Sequence, residues 1–215
     1  MKVRERMTRN PITVDLETMV SEAFQIMREN NIRRVPVMDK GKLVNIVTLR
    51  DLAEVSPSSA ASLSILEINY MLAKTTIGSI VDSQRKLITI KADENLERVA
   101  LVMRENKIGA VPVLEGEKLV GIITETDIFD AFIDILGVNR PGTRIDMEVG
   151  DRVGLVAQIT GIIAGLGISI ENIVLLQKPD SSKYELILRV DTLEPDAIVK
   201  ELEHEGFKVT AKLRR

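Results

Sequence analysis

The chain contains no cysteine and no tryptophan, and it has a single histidine among its 215 residues. Without cysteine it forms no disulfides and no thiolate metal sites, and it has no thiol nucleophile. The one histidine, His204, is too few for a catalytic triad or a zinc site, so we expect no metal. The absence of cysteine also suits a reducing compartment.

A strong excess of one charge and long apolar runs are also missing. The formal net charge is −3, which gives no basic field to attract nucleic acid or an anionic membrane. No apolar run approaches the roughly 18 residues of a membrane helix, and the first residues do not resemble a secretory leader. We therefore expect a cytoplasmic protein with no nucleic-acid partner and no membrane partner.

The most informative positive feature is an internal duplication. Residues 12–52 align with residues 88–128 without a gap at an offset of 76, and 16 of the 41 positions are identical. Such a duplication predicts one supersecondary unit that is built twice and shares a buried face with pseudo-two-fold symmetry.

Each copy predicts the element order β-α-β-β-α. In the first copy the predicted elements are a strand over 12–14, a helix over 16–30, strands over 34–38 and 43–47, and a helix from Thr48. In the second copy they are a strand over 88–90, a helix over 94–106, strands over 110–114 and 119–123, and a helix from Thr124. Between the copies, residues 62–72 predict an additional helix.

The last third of the chain predicts the order β-α-β-β-α-β. The predicted strands are 144–149, 168–176, 184–190 and 207–213, and the helices are 154–166 and 195–205. This order is typical of a ferredoxin-like sandwich. We expect an α/β (α+β) chain with domains over 1–75, 76–138 and 143–215.

Each copy ends in a Thr-x-x-Asp motif, Thr48 with Asp51 and Thr124 with Asp127. Where a strand passes into a helix, this pattern is typical of a capping box, in which the two side chains stabilise the first helical turn. The same position also suits a nucleotide, because helix N–H groups can bind phosphate and a carboxylate can accept two ribose hydroxyls. Both interpretations remain open at this point.

The residues around the motifs resemble cystathionine-β-synthase-type (CBS) domains, and the pair resembles a Bateman module. The resemblance is carried by Arg33-Arg34-Val35-Pro36-Val37 and residues 45–51, and by residues 109–113 and 121–127. It implies a regulatory adenosine nucleotide or S-adenosyl compound in the cleft between the copies, and no other cofactor. The implied contacts are ribose at Asp51 and Asp127, phosphate at Thr48 and Thr124, and the base or cleft wall at Thr13, Val35, Pro36, Thr89, Ala110, Val111 and Pro112.

The two implied sites differ in charge. The first copy has Arg33, Arg34 and Arg50, whereas the second copy has Gly109, Ala110 and Glu125. Guanidinium groups suit phosphate, so we predict an anionic nucleotide at the first site only. The alternative is that the arginines point outward and pair with Asp39 or Glu29 as solvated charges. Asn45 replaces the glycine usual in the family, which would narrow the first pocket.

Residues 143–215 resemble an ACT domain through Asp151-Arg152-Val153-Gly154-Leu155 and residues 167–173. The resemblance implies a small ligand, typically an amino acid, at a dimer interface, with Asp151, Gly154, Asn172 and Ile173 as the site. The alternative is that Gly154 only permits a tight turn and Asn172 only pairs at a strand end.

Two CBS repeats followed by an ACT-like domain resemble bacterial proteins named for acetoin utilisation. The sequence shows no catalytic constellation and no glycine-rich phosphate loop. We therefore expect a homodimeric, non-catalytic regulatory protein that senses a small-molecule effector and acts on itself or on a metabolic enzyme. The alternative is a structural oligomerisation subunit of a metabolic enzyme with vestigial ligand sites.

Overall fold

The computed structural model describes residues 1–55, 74–82, 86–179 and 182–214, and of Val55 only the main chain. It consists of two compact units, Met1–Phe129 and Asp130–Arg215. The helix predicted over residues 62–72 lies outside the described residues. Of the helices within the described ranges, none is long and apolar enough to cross a membrane.

The first unit contains both copies of the repeat. Its strands are β1 Thr8–Arg9, β2 Val14–Asp15, β3 Arg34–Asp39, β4 Lys42–Thr48, β5 Ile90–Lys91, β6 Ala110–Glu115 and β7 Lys118–Thr124. Its helices are α1 Val20–Glu29, α2 Leu49–Val55, α3 Ile77–Ile80, α4 Leu96–Asn106 and α5 Glu125–Ile135, the last of which continues into the second unit. The predicted order β-α-β-β-α is confirmed in both copies.

The first helix of the repeat starts later than predicted. We expected it from residue 16, but α1 begins at Val20. The reason is a turn in which the Asp15 N–H donates to Thr18 Oγ1 at 3.0 Å. This local side-chain bond competes with the helix over the preceding residues. Once α1 begins, Val20, Ala23 and Met27 follow helical spacing and are all buried.

The segments that lead into the two copies are exchanged between them. The Val3 N–H donates to Glu94 O at 3.0 Å, and the Ile77 N–H donates to Thr18 O at 2.8 Å. Val3 and Ile77 are each fully buried. The residues before the first copy therefore pack on the second copy, and the residues before the second copy pack on the first.

The exchange extends to the sheets. Strand β1 comes from the start of the chain, yet it pairs antiparallel with β7 of the second copy. One sheet has the order β1-β7-β6-β5, and the other has the order β2-β3-β4. Gly121 allows the close approach of β1, because a Cβ there would stand 3.0 Å from the carbonyl oxygen of Thr8.

The second unit contains the ferredoxin-like fold that the sequence predicts. Its elements are β8 Thr143–Gly150, α6 Leu155–Gly165, β9 Ile170–Gln177, β10 Lys183–Val190, α7 Asp196–His204 and β11 Lys208–Arg214. The four strands form an antiparallel sheet in the order β11-β8-β10-β9. Its core joins Met147 and Leu186 of the sheet to Ile159 and Ile163 of α6 and Leu202 of α7.

Candidate functional site

The two Thr-x-x-Asp motifs form reciprocal helix caps. Asp51 Oδ2 accepts hydrogen bonds from the Thr48 N–H and from Thr48 Oγ1, both at 2.7 Å. In return, the Asp51 N–H donates to Thr48 Oγ1 at 3.2 Å. This is the geometry of a capping box, so the capping interpretation of the motif is confirmed.

The second copy repeats the same geometry. Asp127 Oδ2 accepts from the Thr124 N–H and Oγ1 at 2.7 Å each, and the Asp127 N–H donates to Thr124 Oγ1 at 3.4 Å. The cap uses one carboxylate oxygen. Within the described residues no donor contacts the other oxygen of Asp127, which leaves an acceptor for a ligand hydroxyl. For Asp127, the cap therefore does not by itself exclude a contact to a ligand.

A cavity of about 1200 Å³ lies between the two copies and includes the first motif. From the first copy it is lined by Arg33, Arg34, Asn45, Ile46, Thr48, Leu49, Arg50, Asp51, Ala53 and Glu54. From the second copy it is lined by Lys86, Leu87, Ile88, Asn106, Lys107, Ile108, Gly109 and Ala110. Gly109 and Ala110, which the sequence assigned to a separate second site, therefore share the cavity of the arginines.

Of the nucleotide-binding residues implied by the sequence, six line this cavity: Arg33, Arg34, Thr48, Arg50, Asp51 and Ala110. The others lie outside its lining: Thr13, Val35, Pro36, Thr89, Val111, Pro112, Thr124 and Asp127. Val35 and Val111 are fully buried, so the side chains of these two valines belong to the core.

Thr13 lies outside the lining, and the segment that leads into the second copy contributes residues there instead. Thr13 lies between β1, which pairs with β7 of the second copy, and β2, which pairs with β3 of the first copy. The corresponding place beside Thr48 and Asp51 is taken by Leu87 and Ile88, which lead into the second copy. The gapless alignment of the two copies shows that they are equivalent, but it does not show that the segment before each copy packs on the other copy.

Most of the charged side chains that line the cavity are basic. The lining contains five basic side chains, Arg33, Arg34, Arg50, Lys86 and Lys107, and two acids, Asp51 and Glu54. Arg50 Nε donates to Glu54 Oε1 at 2.9 Å, an exposed pair one helical turn apart. The alternative that the arginines pair as surface charges thus holds for Arg50, although its partner is neither Asp39 nor Glu29.

Asn45 takes the place of the family's usual glycine without protruding freely into the cavity. It is 4% exposed. Its Oδ1 accepts from the Ile46 N–H at 2.8 Å, and its Nδ2 donates to the carbonyl oxygen of Asp82 at 3.2 Å. The side chain therefore joins β4 to the segment that leads into the second copy.

A smaller cavity of about 330 Å³ lies at the start of α6 in the second unit. Asp151 and Gly154 line it together with Leu175 and Tyr184. Gly154 has φ +82°, a conformation that glycine adopts without strain, so the tight turn itself requires glycine. Of the four residues implied for an ACT ligand, this cavity brings Asp151 and Gly154 together.

The other two implied residues, Asn172 and Ile173, lie outside the lining of that cavity. Asn172 Nδ2 donates to the carbonyl oxygen of Ile135 at 2.7 Å. Ile135 is the last residue of α5, so the amide satisfies a carbonyl that has no partner within its own helix. This hydrogen bond agrees with the alternative interpretation, in which Asn172 has a structural role.

A cationic cluster surrounds one carboxylate of the second unit. Glu148 accepts from Lys178 Nζ at 2.8 Å and from Lys183 Nζ at 2.7 Å. These two hydrogen bonds lower the pKa of Glu148 to about 2. The folded carboxyl thus ionises more readily than in the unfolded chain, where its pKa lies near 4.5, and the contacts stabilise the fold only while it is ionised.

We expect Glu148→Gln to lower the melting temperature at pH 7, because it removes the carboxylate from its lysine partners. A carboxyl with a lowered pKa contributes its full stabilisation above pH 4.5 and loses it as the pH falls towards 2. The difference in melting temperature between parent and variant should therefore shrink as the pH falls below 4.5. Calorimetric melting between pH 3 and 7, with the exposed Glu203→Gln as control, checks this; a difference that does not change with pH contradicts it.

His204, the single histidine, is exposed, with its side chain 80% accessible. Its Nδ1 lies 3.9 Å from Glu205 Oε1 on the surface of α7. Nothing in this arrangement resembles a catalytic pair.

Two copies of a β-α-β-β-α unit that share a cleft, followed by a ferredoxin-like domain, define a tandem-repeat module. The family model of the CBS domain matches residues 3–58 and 77–134, which together make up more than half of the chain. The model of the ACT domain matches residues 143–205. The chain belongs to the CBS-domain family and has tandem CBS domains followed by a C-terminal ACT domain, as the sequence resemblance implied.

Solved structures of CBS pairs are similar to the first part of the chain. The Vibrio cholerae protein AcuB, whose name refers to acetoin utilization, is 29% identical with a TM-score of 0.53, over 65% of this chain and 95% of that one. The CBS pair of protein MJ0100, in complex with 5′-methylthioadenosine and S-adenosyl-L-methionine, is 33% identical with a TM-score of 0.50, over 61% and 95%. CBSX2 in complex with AMP is 25% identical with a TM-score of 0.51, over 62% and 97%.

Curated relatives match over the CBS region but are longer proteins. Protein MJ1225 of Methanocaldococcus jannaschii is 30% identical over 131 residues, which are 60% of this chain and 46% of that protein. The L-aspartate semialdehyde sulfurtransferase of the same organism is 32% identical over 132 residues, 60% of this chain and 23% of that enzyme. The chain thus spans less than half of the length of these relatives, and most of the sulfurtransferase lies outside the match.

Proposed function

We propose that the chain is a non-catalytic sensor that binds a phosphate-bearing adenosine nucleotide in the cavity between its CBS repeats. The observation that carries the proposal is the composition of the cavity lining, in which five basic side chains face two acids. One of these acids, Asp51, already forms the helix cap, and the other, Glu54, pairs with Arg50. The cationic excess favours an anion.

The relatives with bound ligands support the adenosine part of this proposal. The complexes of CBS pairs contain AMP in one protein and 5′-methylthioadenosine with S-adenosyl-L-methionine in another. These ligands share adenosine and differ in charge. Because S-adenosyl-L-methionine carries a positive sulfonium, the basic lining selects against it and in favour of AMP, ADP or ATP.

A thermal-shift screen at low salt tests the proposal with AMP, ADP, ATP, adenosine, S-adenosyl-L-methionine and the twenty amino acids. A ligand present at about 100 times its Kd stabilises the folded state by about 2.7 kcal/mol. We expect the phosphate-bearing nucleotides to raise the melting temperature and S-adenosyl-L-methionine to have a much smaller effect. If no nucleotide raises it, the alternative of an oligomerisation subunit with vestigial sites is favoured.

The amino acids in the screen address the ACT domain. The cavity of about 330 Å³ beside Asp151 and Gly154 has the size of a small metabolite site. An amino acid that raises the melting temperature in the parent but not in a Gly154→Val variant supports a second ligand there. Valine at this position is strained because φ is +82°, so Gly206→Val, at an exposed glycine with φ +85° outside the cavity lining, serves as the control for stability.

We further propose that the chain forms a homodimer through strand β9, an edge of the ferredoxin-like sheet. Ile173, Leu175 and Leu176 of this strand are 36%, 43% and 48% exposed, and an apolar edge favours pairing with another strand. The opposite edge, β11, has the sequence KVTAKLR, whose lysines and arginine oppose such pairing.

Light scattering at micromolar concentration should give the mass of two chains. We expect Leu175→Lys to shift the protein towards the monomer, because it places a charge on the pairing edge. Leu213→Lys on β11 makes the same chemical change on the other edge and should leave the dimer intact. A parent protein of monomeric mass at this concentration rejects the dimer, and equal effects of the two variants reject β9 as its interface.

A further inference from the structure

The first helices of the two repeats, α1 and α4, end in the same backbone conformation but with different residues. Asn31 has φ +51°, and Lys107 at the equivalent position has φ +54°. The next N–H along the chain donates to the carbonyl oxygen five residues before it, at 2.9 Å after Asn31 and at 3.0 Å after Lys107. This hydrogen bond is typical of a helix that ends at a left-handed residue. The main-chain geometry is therefore duplicated, and the side chain at this position differs.

Lysine is an unfavourable residue for this position. A left-handed backbone crowds the Cβ of an L-residue, and glycine and asparagine adopt it most readily. The first copy has asparagine here, whereas the second copy has lysine. The fold would be more stable with the residue of the first copy, so stability does not explain the choice of Lys107.

Lys107 and Asn31 differ in their surroundings. Lys107 lines the cavity between the repeats, together with the first Thr-x-x-Asp motif, whereas Asn31 lies outside that lining. Lys107 is exposed, and within the described ranges no carboxylate pairs with its ammonium. Lysine binds phosphate as a point charge. An ammonium without an ion-pair partner at the wall of the cavity is therefore available to an anion inside it.

An arginine of the first copy reaches the same wall. The Arg34 guanidinium lies against Gly109, two residues after Lys107, in space that a Cβ on this glycine would occupy. Glu125 Oε2 would stand 2.6 Å from the same Cβ, but Glu125 lies outside the lining of the cavity. Cations of both copies thus border the cavity near Gly109, and an anion bound there would contact both copies.

We propose that Lys107 is a specificity-determining residue, which binds the phosphate of the nucleotide from the side of the second copy. This inference rests on the proposed function, because it takes a phosphate-bearing nucleotide as the ligand. The contact to phosphate explains why a lysine stands in a backbone conformation that favours asparagine. The phosphate then joins the two repeats, whereas uncharged adenosine does not use this contact.

Lys107→Asn tests the inference, because it places the residue of the first copy at the equivalent position of the second. In the full chain we expect the melting temperature to rise by about 1–4 °C, since asparagine adopts the left-handed conformation more readily. Titration calorimetry at low salt should show AMP binding weakened by about two- to fivefold and adenosine binding unchanged. Lys107→Arg keeps the charge and should bind AMP nearly as tightly as the parent does.

Lys40→Asn is the matched control. Lys40 has φ +48° and lies in the turn after β3, outside the lining of the cavity. The same substitution there removes the same charge from the same backbone conformation. It should therefore also raise the melting temperature, but it should leave AMP binding unchanged.

The outcomes separate this inference from the proposed function. If Lys107→Asn binds AMP like the parent, or if it weakens AMP no more than Lys40→Asn does, the inference is wrong while nucleotide binding stands. An equal loss for AMP and adenosine shows that Lys107 does not recognise phosphate, and a lower melting temperature of Lys107→Asn shows that lysine is not unfavourable here; either result also rejects the inference. If the parent binds neither ligand, the proposed function fails and the inference fails with it.

Discussion

Asp51→Asn is expected to weaken AMP binding by about tenfold to a hundredfold while largely preserving the stability of the fold. The expected loss corresponds to charge-assisted hydrogen bonds from the ribose hydroxyls, worth about 1.5–3 kcal/mol. The cap uses Oδ2 of Asp51, which accepts from the Thr48 N–H and hydroxyl. The carbonyl oxygen of asparagine can accept the same two bonds, but its amide cannot accept a ribose hydroxyl.

Asp51→Ala removes both the cap and the ribose contact, so its comparison with Asp51→Asn distinguishes the two roles. It should weaken AMP to the same degree and also cost about 0.5–2 kcal/mol of stability through loss of the cap. Asp127→Asn and Asp127→Ala provide the internal control, because Asp127 forms the same cap but lies outside the lining of the cavity. They should leave AMP binding at the first motif unchanged.

Calorimetric titration of AMP into the four variants, with melting curves for each, decides between the roles. If Asp51→Asn and Asp51→Ala both bind AMP like the parent while only Asp51→Ala is less stable, Asp51 acts only as a cap. The ribose assignment would then be wrong.

AMP is expected to bind about tenfold to a hundredfold more tightly than adenosine at low salt. The two ligands differ only in the phosphate, and charge-assisted hydrogen bonds from guanidinium to phosphate are worth about 1.5–3 kcal/mol. Arg33 and Arg34 are the arginines of the lining that can supply them, since Arg50 is paired with Glu54.

The salt dependence provides a second readout. The Debye length shortens from about 10 Å at 0.1 M salt to about 3 Å at 1 M, so partly exposed charge pairs weaken. The affinity for AMP should fall with salt, whereas that for adenosine should stay nearly constant. Arg33→Ala should narrow the gap between the ligands, while Arg98→Ala, an exposed arginine of α4 outside the lining, should not. Equal affinity for AMP and adenosine at low salt rejects the phosphate role.

The sequence predicted the local architecture well because its signals are local. Apolar spacing and turn residues located the longer strands of both repeats and of the ferredoxin-like domain, and the Thr-x-x-Asp spacing predicted the caps that Thr48 and Thr124 form. The short first strands were predicted too early, over 12–14 and 88–90, whereas β2 is Val14–Asp15 and β5 is Ile90–Lys91. Each of these features depends on residues a few positions apart. The error in the start of α1 had a local cause too, in the bond from Asp15 to Thr18.

The composition of the cavity was harder to predict because it depends on residues far apart in sequence. Lys86 and Lys107 were missed, although both line the cavity. No spacing rule relates them to Asp51, since they reach it only through the pseudo-two-fold arrangement and the exchange of leading segments. The proximity of Arg34 to Glu125 likewise requires the packed pair of repeats.

The partners of individual charged and polar groups were also beyond a reading of the sequence. Arg50 pairs with Glu54 one turn further along α2, a spacing visible in the sequence but shared by many unpaired side chains. Asn172 was assigned to a ligand site, yet its amide binds the end of a helix 37 residues earlier. A polar side chain can reach several acceptors in the unfolded chain, and only the folded structure determines which of them it binds.

The central claim is that the cavity between the repeats binds an adenosine nucleotide through its phosphate and ribose. The most direct test is a crystal structure of the chain grown with AMP at saturating concentration. The account predicts AMP between the repeats, with its ribose hydroxyls at hydrogen-bond distance from Asp51 and its phosphate against Arg33 and Arg34. A phosphate directed out to solvent, a ribose away from Asp51, or a cavity without AMP would contradict it.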